Sequence, residues 1–156
     1  MSTHIERGHD YPSITQISVF LDNRVGRLLG LVQTLEVTDV RIVALSVMDS
    51  ADCAIVRMVV DDVDTARNAL LKGNYPFSEA ELIAVELPPG KGGIKAVCTA
   101  LLSAELNIHY AYPLMARPHG QTVLALHVDD YTTGLNVLHG KKFTTLSQGE
   151  MGEWKK

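Results

Sequence analysis

Between Leu21 and Leu28 the chain reads Asp22-Asn23-Arg24-Val25-Gly26-Arg27. Residue types in this order suit the capture of a small zwitterion. Gly26 stands where a strand-like run gives way to a helix-like one, and glycine accepts a positive φ and a close neighbour. The first turn of a helix offers unpaired N–H groups and a partial positive charge, which suit a carboxylate. Asn23 adds an amide with donors and an acceptor. Helix N–H groups for a carboxylate, with the amide oxygen and loop carbonyls for an ammonium, match an α-amino acid. The same residues also read as a turn former and a plain helix-entry glycine, so the loop alone leaves both readings open.

Other candidate sets carry less chemistry. Pro88-Pro89-Gly90-Lys91-Gly92-Gly93 lacks the Lys-Ser/Thr ending and the spacing of a P-loop. It reads as a tight strand-to-helix turn with Lys91 in solvent. Six histidines, His4, His9, His109, His119, His127 and His139, raise the question of a metal. Alternation places His109 and His127 on the same open sheet face, with cross-strand Cβ atoms ~5 Å apart. No third ligand at metal spacing accompanies them, so surface or interface histidines are the main reading and a metal-responsive regulator a lesser one. There is no G-x-S-x-G, no HExxH and no Cys paired locally with His. The chain is therefore read as non-catalytic. Asp61-Asp62 and Asp129-Asp130 suit helix caps rather than an acid–base pair. Cys53 and Cys98 form no CxxC, which argues against a disulfide framework or a Cys-type zinc site. No cofactor is expected.

The elements that must position the loop follow from periodicity. Ile17, Val19 and Leu21 alternate with Gln16, Ser18 and Phe20, the mark of a strand with one face in a core. Leu28, Leu31, Val32 and Leu35 recur on one helical face. Val40 to Met48 and Cys53 to Val60 are β-rich around a turn at Asp49 to Asp52, so a hairpin is expected. Val63 to Leu71 reads as a second helix, closed by Gly73-Asn74 with Pro76 beyond. Ala80 to Leu87 is apolar and extended. The order is β-α-β-β-α-β.

That order occurs twice. Displaced by 66 residues, Ile17, Val19 and Leu21 fall on Ile83, Val85 and Leu87, and Gly26 falls on Gly92. Leu28, Leu31, Val32 and Leu35 fall on Ile94, Val97, Cys98 and Leu101. After the hairpin the displacement is 68, and Val60-Asp61-Asp62 falls on Val128-Asp129-Asp130. The chain is a tandem repeat of one βαββαβ unit. Each unit implies a four-stranded antiparallel sheet with both helices on one face. The expected division is a tail at 1–13, a first domain at 14–81, a second at 82–150 and a tail at 151–156. Glu79 to Leu87 must end the first unit and begin the second, so the units should lie together, side by side in one eight-stranded sheet.

At this point the chain resembles the ACT domain family, small ligand-sensing modules attached to many amino-acid biosynthetic enzymes. The resemblance rests on Asp22-Asn23-Arg24-Val25-Gly26-Arg27-Leu28 before the first helix. It rests also on the second-strand motif, Arg41-Ile42 in the first unit and Asn107-Ile108 in the second. Val25 replaces the usual proline, and Pro88 to Gly92 offers no Asn in the second loop. The chain is similar to small free-standing tandem ACT proteins. The resemblance implies a ligand held between the first loop of one domain and the second strand of a neighbour, with an Asn from each. Only Asn23 and Asn107 can supply that pair, so one amino-acid site is expected, formed by residues 22–28 with Asn107 and Ile108. It could close within one chain or across a dimer.

Composition bounds the partners. The chain has 14 Lys and Arg against 18 Asp and Glu, which removes the basic footprint of a nucleic-acid binder. There is no run of 18 apolar residues to span a membrane, and Met1 to Ser13 lacks a signal-peptide core. A cytoplasmic protein is read. Phe20, Ile55, Val59 and Val123, beside Arg57, are too apolar for a wet sheet face, so a homodimer or a docked enzyme is expected to cover it. The functional expectation is a regulatory sensor of a small neutral amino acid. The alternative is a regulatory subunit that docks on an amino-acid biosynthetic enzyme.

Overall fold

The computed structural model describes residues 12–152. Strands β1 (Ile14–Asp22), β2 (Ile42–Asp49), β3 (Cys53–Val60) and β4 (Phe77–Glu86) enclose helices α1 (Arg27–Glu36) and α2 (Val63–Lys72). The second half runs α3 (Gly93–Leu102), β5 (Ile108–Pro113), β6 (Val123–Val128), α4 (Tyr131–Gly140) and β7 (Thr145–Leu146). A 3-10 turn at Gln148–Gly152 closes the described chain. The strands form one antiparallel sheet in the order β2-β3-β1-β4-β6-β5, with β7 also on β4.

β4 serves both units. Its first half pairs with β1, ending at Leu82 opposite Ile14. Its second half pairs with β6, starting at Ile83 opposite Leu126, and with β7 through Ala84 and Val85. An eight-stranded sheet counts this strand twice; among the described residues there are seven. The repeat is visible in fine detail. Asp62 caps α2 by accepting from Thr65 N, and Asp130 caps α4 by accepting from Thr133 N. The preceding aspartates do another job: Asp61 accepts from Arg41 N and Asp129 from Asn107 N, fixing the approach to β2 and to β5. Each of those strands then carries a register irregularity, between Ile42 and Ala44 and between Ile108 and Tyr110.

Three cores result. Ile17, Val19 and Leu21 pack with Leu31 and Leu35 of α1 and Ala66 and Leu70 of α2. Ile83 and Val85 pack with Val97 and Leu101 of α3 and Leu135 and Leu138 of α4. The third core joins the sheet faces turned away from the helices: Ile14, Val43, Ala44 and Val59 from the first half, Leu114, Val123, Ala125 and Leu146 from the second. The sheet therefore curls until its two halves stack face to face, and Met115 N donates to Val43 O at 2.7 Å across the seam. Part of the face expected to need a partner is thus covered within the chain. Val59 and Val123 are fully buried by the other half of the same chain, while Phe20 on the same face stays 37% exposed.

The seam also has a polar end. Gln16, 1% exposed, donates from Nε2 to Tyr110 Oη (2.8 Å) and accepts at Oε1 from Tyr112 Oη (2.6 Å). The Arg57 guanidinium lies 3.9 Å over the Tyr110 ring, and the His127 ring stacks on the same tyrosine at 4.8 Å. Burial holds the Tyr112 phenol above its ordinary pKa. His109 sits at the irregularity in β5, and its ring centroid is 5.3 Å from that of His127. Among the described residues, no three His, Cys, Asp or Glu are grouped to hold a metal.

His127 gives the seam a pH dependence. Its buried Nδ1 has no hydrogen-bond partner among the described residues. Burial holds its pKa down, and the nearby His109 and Arg57 add to this. A base with a depressed folded pKa is neutral in the fold while the unfolded chain already takes a proton. Stability is thus intact above the unfolded value near 6.5 and falls as pH drops through it towards the lower folded value. Urea titrations should show wild type losing stability relative to His127→Gln between about pH 7 and 5.5.

The described chain is packed as far as its C-terminal 3-10 turn. Residues 1–11 of the N-terminal tail, with His4 and His9, lie outside the described residues. At the other end Met151 is buried in the seam core. Gln148 binds the first half twice: Oε1 accepts from Thr15 N (2.9 Å) and Nε2 donates to Val60 O (2.9 Å). The chain is packed past residue 150, and residues 153–156 lie outside the description.

Candidate functional site

The four helices begin in two different ways. α2 and α4 start under an aspartate side chain. α1 and α3 start at left-handed glycines, Gly26 (φ 86°) and Gly92 (φ 105°), with no side-chain cap. Only glycine adopts these angles without strain, and each leaves first-turn N–H groups uncovered by any side chain. Both uncapped starts open into cavities.

The first cavity, of about 300 Å³, lies between the Asp22–Leu28 loop and the β2–β3 hairpin. Asp22, Asn23, Arg24, Val25, Arg27 and Leu28 line it, facing Leu21, Val47, Ala54 and Val56. Asn23 Nδ2 donates to Ser50 O (2.7 Å) and Ala51 O (3.3 Å) in the hairpin turn. That tether spends both donors, so the Oδ1 acceptor is the atom left available. The Asp22 carboxylate lies between Arg24 Nε (2.7 Å) and Arg27 Nε (2.6 Å). Two guanidiniums against one carboxylate leave the mouth net positive. Val25 is fully exposed, and Leu28, the last residue of the expected 22–28 site, is 37% exposed at the cavity mouth.

The second cavity, of about 440 Å³, is the repeat-equivalent space. It lies between the Leu87–Ile94 segment and the β5–β6 connection, with Arg117, Gly120, Gln121 and Thr122 as its far wall. Pro89 has no amide to bridge loop and hairpin as Asn23 does. Ile94, the partner of Leu28 in the repeat, is again exposed at the mouth (58%).

Asn107 and Ile108 line neither cavity. Asn107 Nδ2 is 3.4 Å from Asp129 Oδ2, and its backbone N–H donates to the other oxygen of the same carboxylate at 2.9 Å. Ile108 packs against the core under α3 and α4. The loop residues are thus brought together, and the Asn107 pair stands apart from them in hydrogen bonding and lining. Sequence reasoning missed the apolar wall of Val47, Ala54 and Val56. The signal was available: these residues flank the hairpin turn to which the Asn23 amide is tied.

A duplicated ferredoxin-like unit, with an uncapped helix start at the first loop of each copy, defines the class of protein. A family model described as an ACT domain pair matches residues 12–153, and the chain belongs to that family. A protein from Bacteroides thetaiotaomicron has the same fold, with a TM-score of 0.82 and 24% identity over 90% of this chain and 96% of that one. The regulatory subunit of aspartate kinase from Thermus thermophilus, in its ligand-free form, aligns at TM-score 0.57 and 14% identity, covering 85% of this chain and 93% of that one. The corresponding subunit from Thermus flavus aligns at 0.54 and 12% identity, over 85% and 93% of the two chains. No curated protein matches the chain. No helix among the described residues is long and apolar enough to cross a membrane.

Proposed function

We propose that the protein is a regulatory sensor of a small neutral amino acid and has no catalytic activity of its own. The observation that carries the reading is the first loop: an uncapped α1 start, a net positive mouth and a single amide acceptor surround one small cavity. The ligand carboxylate meets the α1 N–H groups and the Arg24 and Arg27 side, its ammonium meets Asn23 Oδ1, and its side chain lies on Leu21, Leu28, Val47 and Val56. An apolar wall favours an aliphatic side chain over a charged one. Asn107 and Ile108 reach this loop from the second unit of another copy, which closes the open cavity. Ligand then biases the arrangement of the paired units by its difference in affinity for them.

A thermal-shift screen across the twenty amino acids tests this. Ligand at about 100 times its Kd adds roughly 2.7 kcal/mol, a rise of about 5–10 °C for a chain of this size. Asn23→Ala should remove the shift, with circular dichroism confirming that the variant folds. Asn107→Ala should weaken binding as well. No shift with any amino acid overturns the sensor reading. Binding that survives Asn107→Ala intact but not Asn23→Ala leaves the sensor and sinks the shared site.

Exposed Ile94 (58%) and Leu102 (72%) on α3 favour a second reading. A regulatory subunit would dock there on an amino-acid biosynthetic enzyme, as the likeness to aspartate kinase subunits suggests. Co-purification with a larger catalytic chain, lost in Leu102→Glu, distinguishes it.

A further inference from the structure

His119 lies in the connection between β5 and β6, outside the first-loop site. Its two ring nitrogens face two different carboxylates. Nδ1 meets Glu86 Oε1 at the end of β4, and Nε2 lies 2.8 Å from Glu150 Oε1 in the C-terminal 3-10 turn. An ionised carboxylate only accepts hydrogen bonds, and a neutral imidazole carries a single N–H. Both contacts are satisfied together only when the ring is an imidazolium. We propose that His119 is a proton-operated latch, which fastens the C-terminal segment across the two ACT units when charged and releases it when neutral.

What the latch holds is specific. Glu150 Oε2 accepts from Ser147 N at 2.8 Å, so the same carboxylate that meets His119 fixes the start of the 3-10 turn. The next residue, Gln148, supplies the two hydrogen bonds to Thr15 and Val60 of the first unit, and Met151 fills the seam core. The second-cavity wall is built from the same connection, through Arg117, Gly120, Gln121 and Thr122. A proton on His119 therefore reaches both the join between units and the shape of the second cavity.

The two carboxylates that face the ring act in the same direction. Glu86 faces it from β4 and Glu150 from the 3-10 turn; Arg117 is the cation two residues back on its own connection. The hydrogen bond to Glu86 raises the His119 pKa above 6.5, burial works against it, and the charges of Glu86 and Glu150 raise it further. A raised folded pKa means that the fold keeps a proton the unfolded chain releases. The contribution is fully present below about 6.5 and fades as pH rises through the raised value.

Hydrogen exchange read as protection factors, together with NMR titration of the His119 ring, tests the latch. The ring should titrate above 6.5. Protection of the Ser147–Met151 amides should fall about tenfold between pH 6 and pH 9 in the wild type. Glu150→Gln keeps an acceptor for Ser147 N but removes a charge; it should lower the His119 midpoint and flatten the pH dependence. His119→Gln should show low protection at both pH values. A ring that titrates at or below 6.5, or segment protection that does not change with pH in the wild type, overturns the proposal.

Discussion

Leu82→Ala should lower the unfolding free energy by about 3 kcal/mol, within the range for a fully buried leucine, and the unfolding should remain a single transition. Leu82 is the residue at which β4 passes from one unit to the other. Its backbone pairs with Ile14 of β1, and the next residue, Ile83, pairs with Leu126 of β6. Its side chain lies in the seam core with residues of both halves. A cavity there weakens contacts that belong to neither unit alone. Two domains on a flexible linker would behave differently: the damaged one would melt early and the other would not move. Here a shared strand forbids that, because unfolding either unit strips the partners from one half of β4. Urea unfolding followed by far-UV circular dichroism and by tyrosine fluorescence reads the result. Two separated transitions, or a cost below about 1 kcal/mol, would contradict the shared-strand coupling.

Much of this architecture was legible because local patterns repeat. Alternation marks β1, and the 66-residue echo of Ile17, Val19, Leu21 and Gly26 locates the second unit. The Asp62 and Asp130 caps were legible for the same reason, since an aspartate before a helical run satisfies N–H groups that nothing else can reach. The seam was not. Periodicity reports that Val59 and Val123 point away from the helices and that water is a poor cover for them, but it carries no information on what the cover is. A dimer mate and the other half of the same chain leave the same pattern. Leu28 and Ile94 are a related case, although Leu28 also belongs to the expected site at 22–28. They fit the apolar stripe of α1 and α3, yet they sit in the first turn, beyond the edge of the sheet, and border cavities instead of the core. Gln16 was the least readable of all. A lone glutamine in an alternating strand looks like a solvent position, and its burial depends on two tyrosines ninety-odd residues away.

Gln16→Leu should be the most costly change to a polar side chain in the seam, about 2–4 kcal/mol. The substitution matches the shape of the site but removes the acceptor of Tyr112 Oη and the donor to Tyr110 Oη. Tyr112 is buried, so its hydroxyl loses the acceptor that satisfies it in the fold. The penalty is therefore the desolvation of a stranded group rather than the modest net worth of a hydrogen bond. That distinction can be measured. Tyr112→Phe alone strands the Gln16 Oε1 acceptor and should cost about 1–2 kcal/mol. In the Gln16→Leu background the same change removes the stranded hydroxyl, and it should restore stability rather than lower it further. The double-mutant cycle should thus show a favourable coupling of about 1–3 kcal/mol between the two positions. Additive losses would mean that water reaches the polar end of the seam and satisfies Tyr112 there. The register between the two sheet faces would then rest on apolar burial and on contacts such as Met115 N to Val43 O.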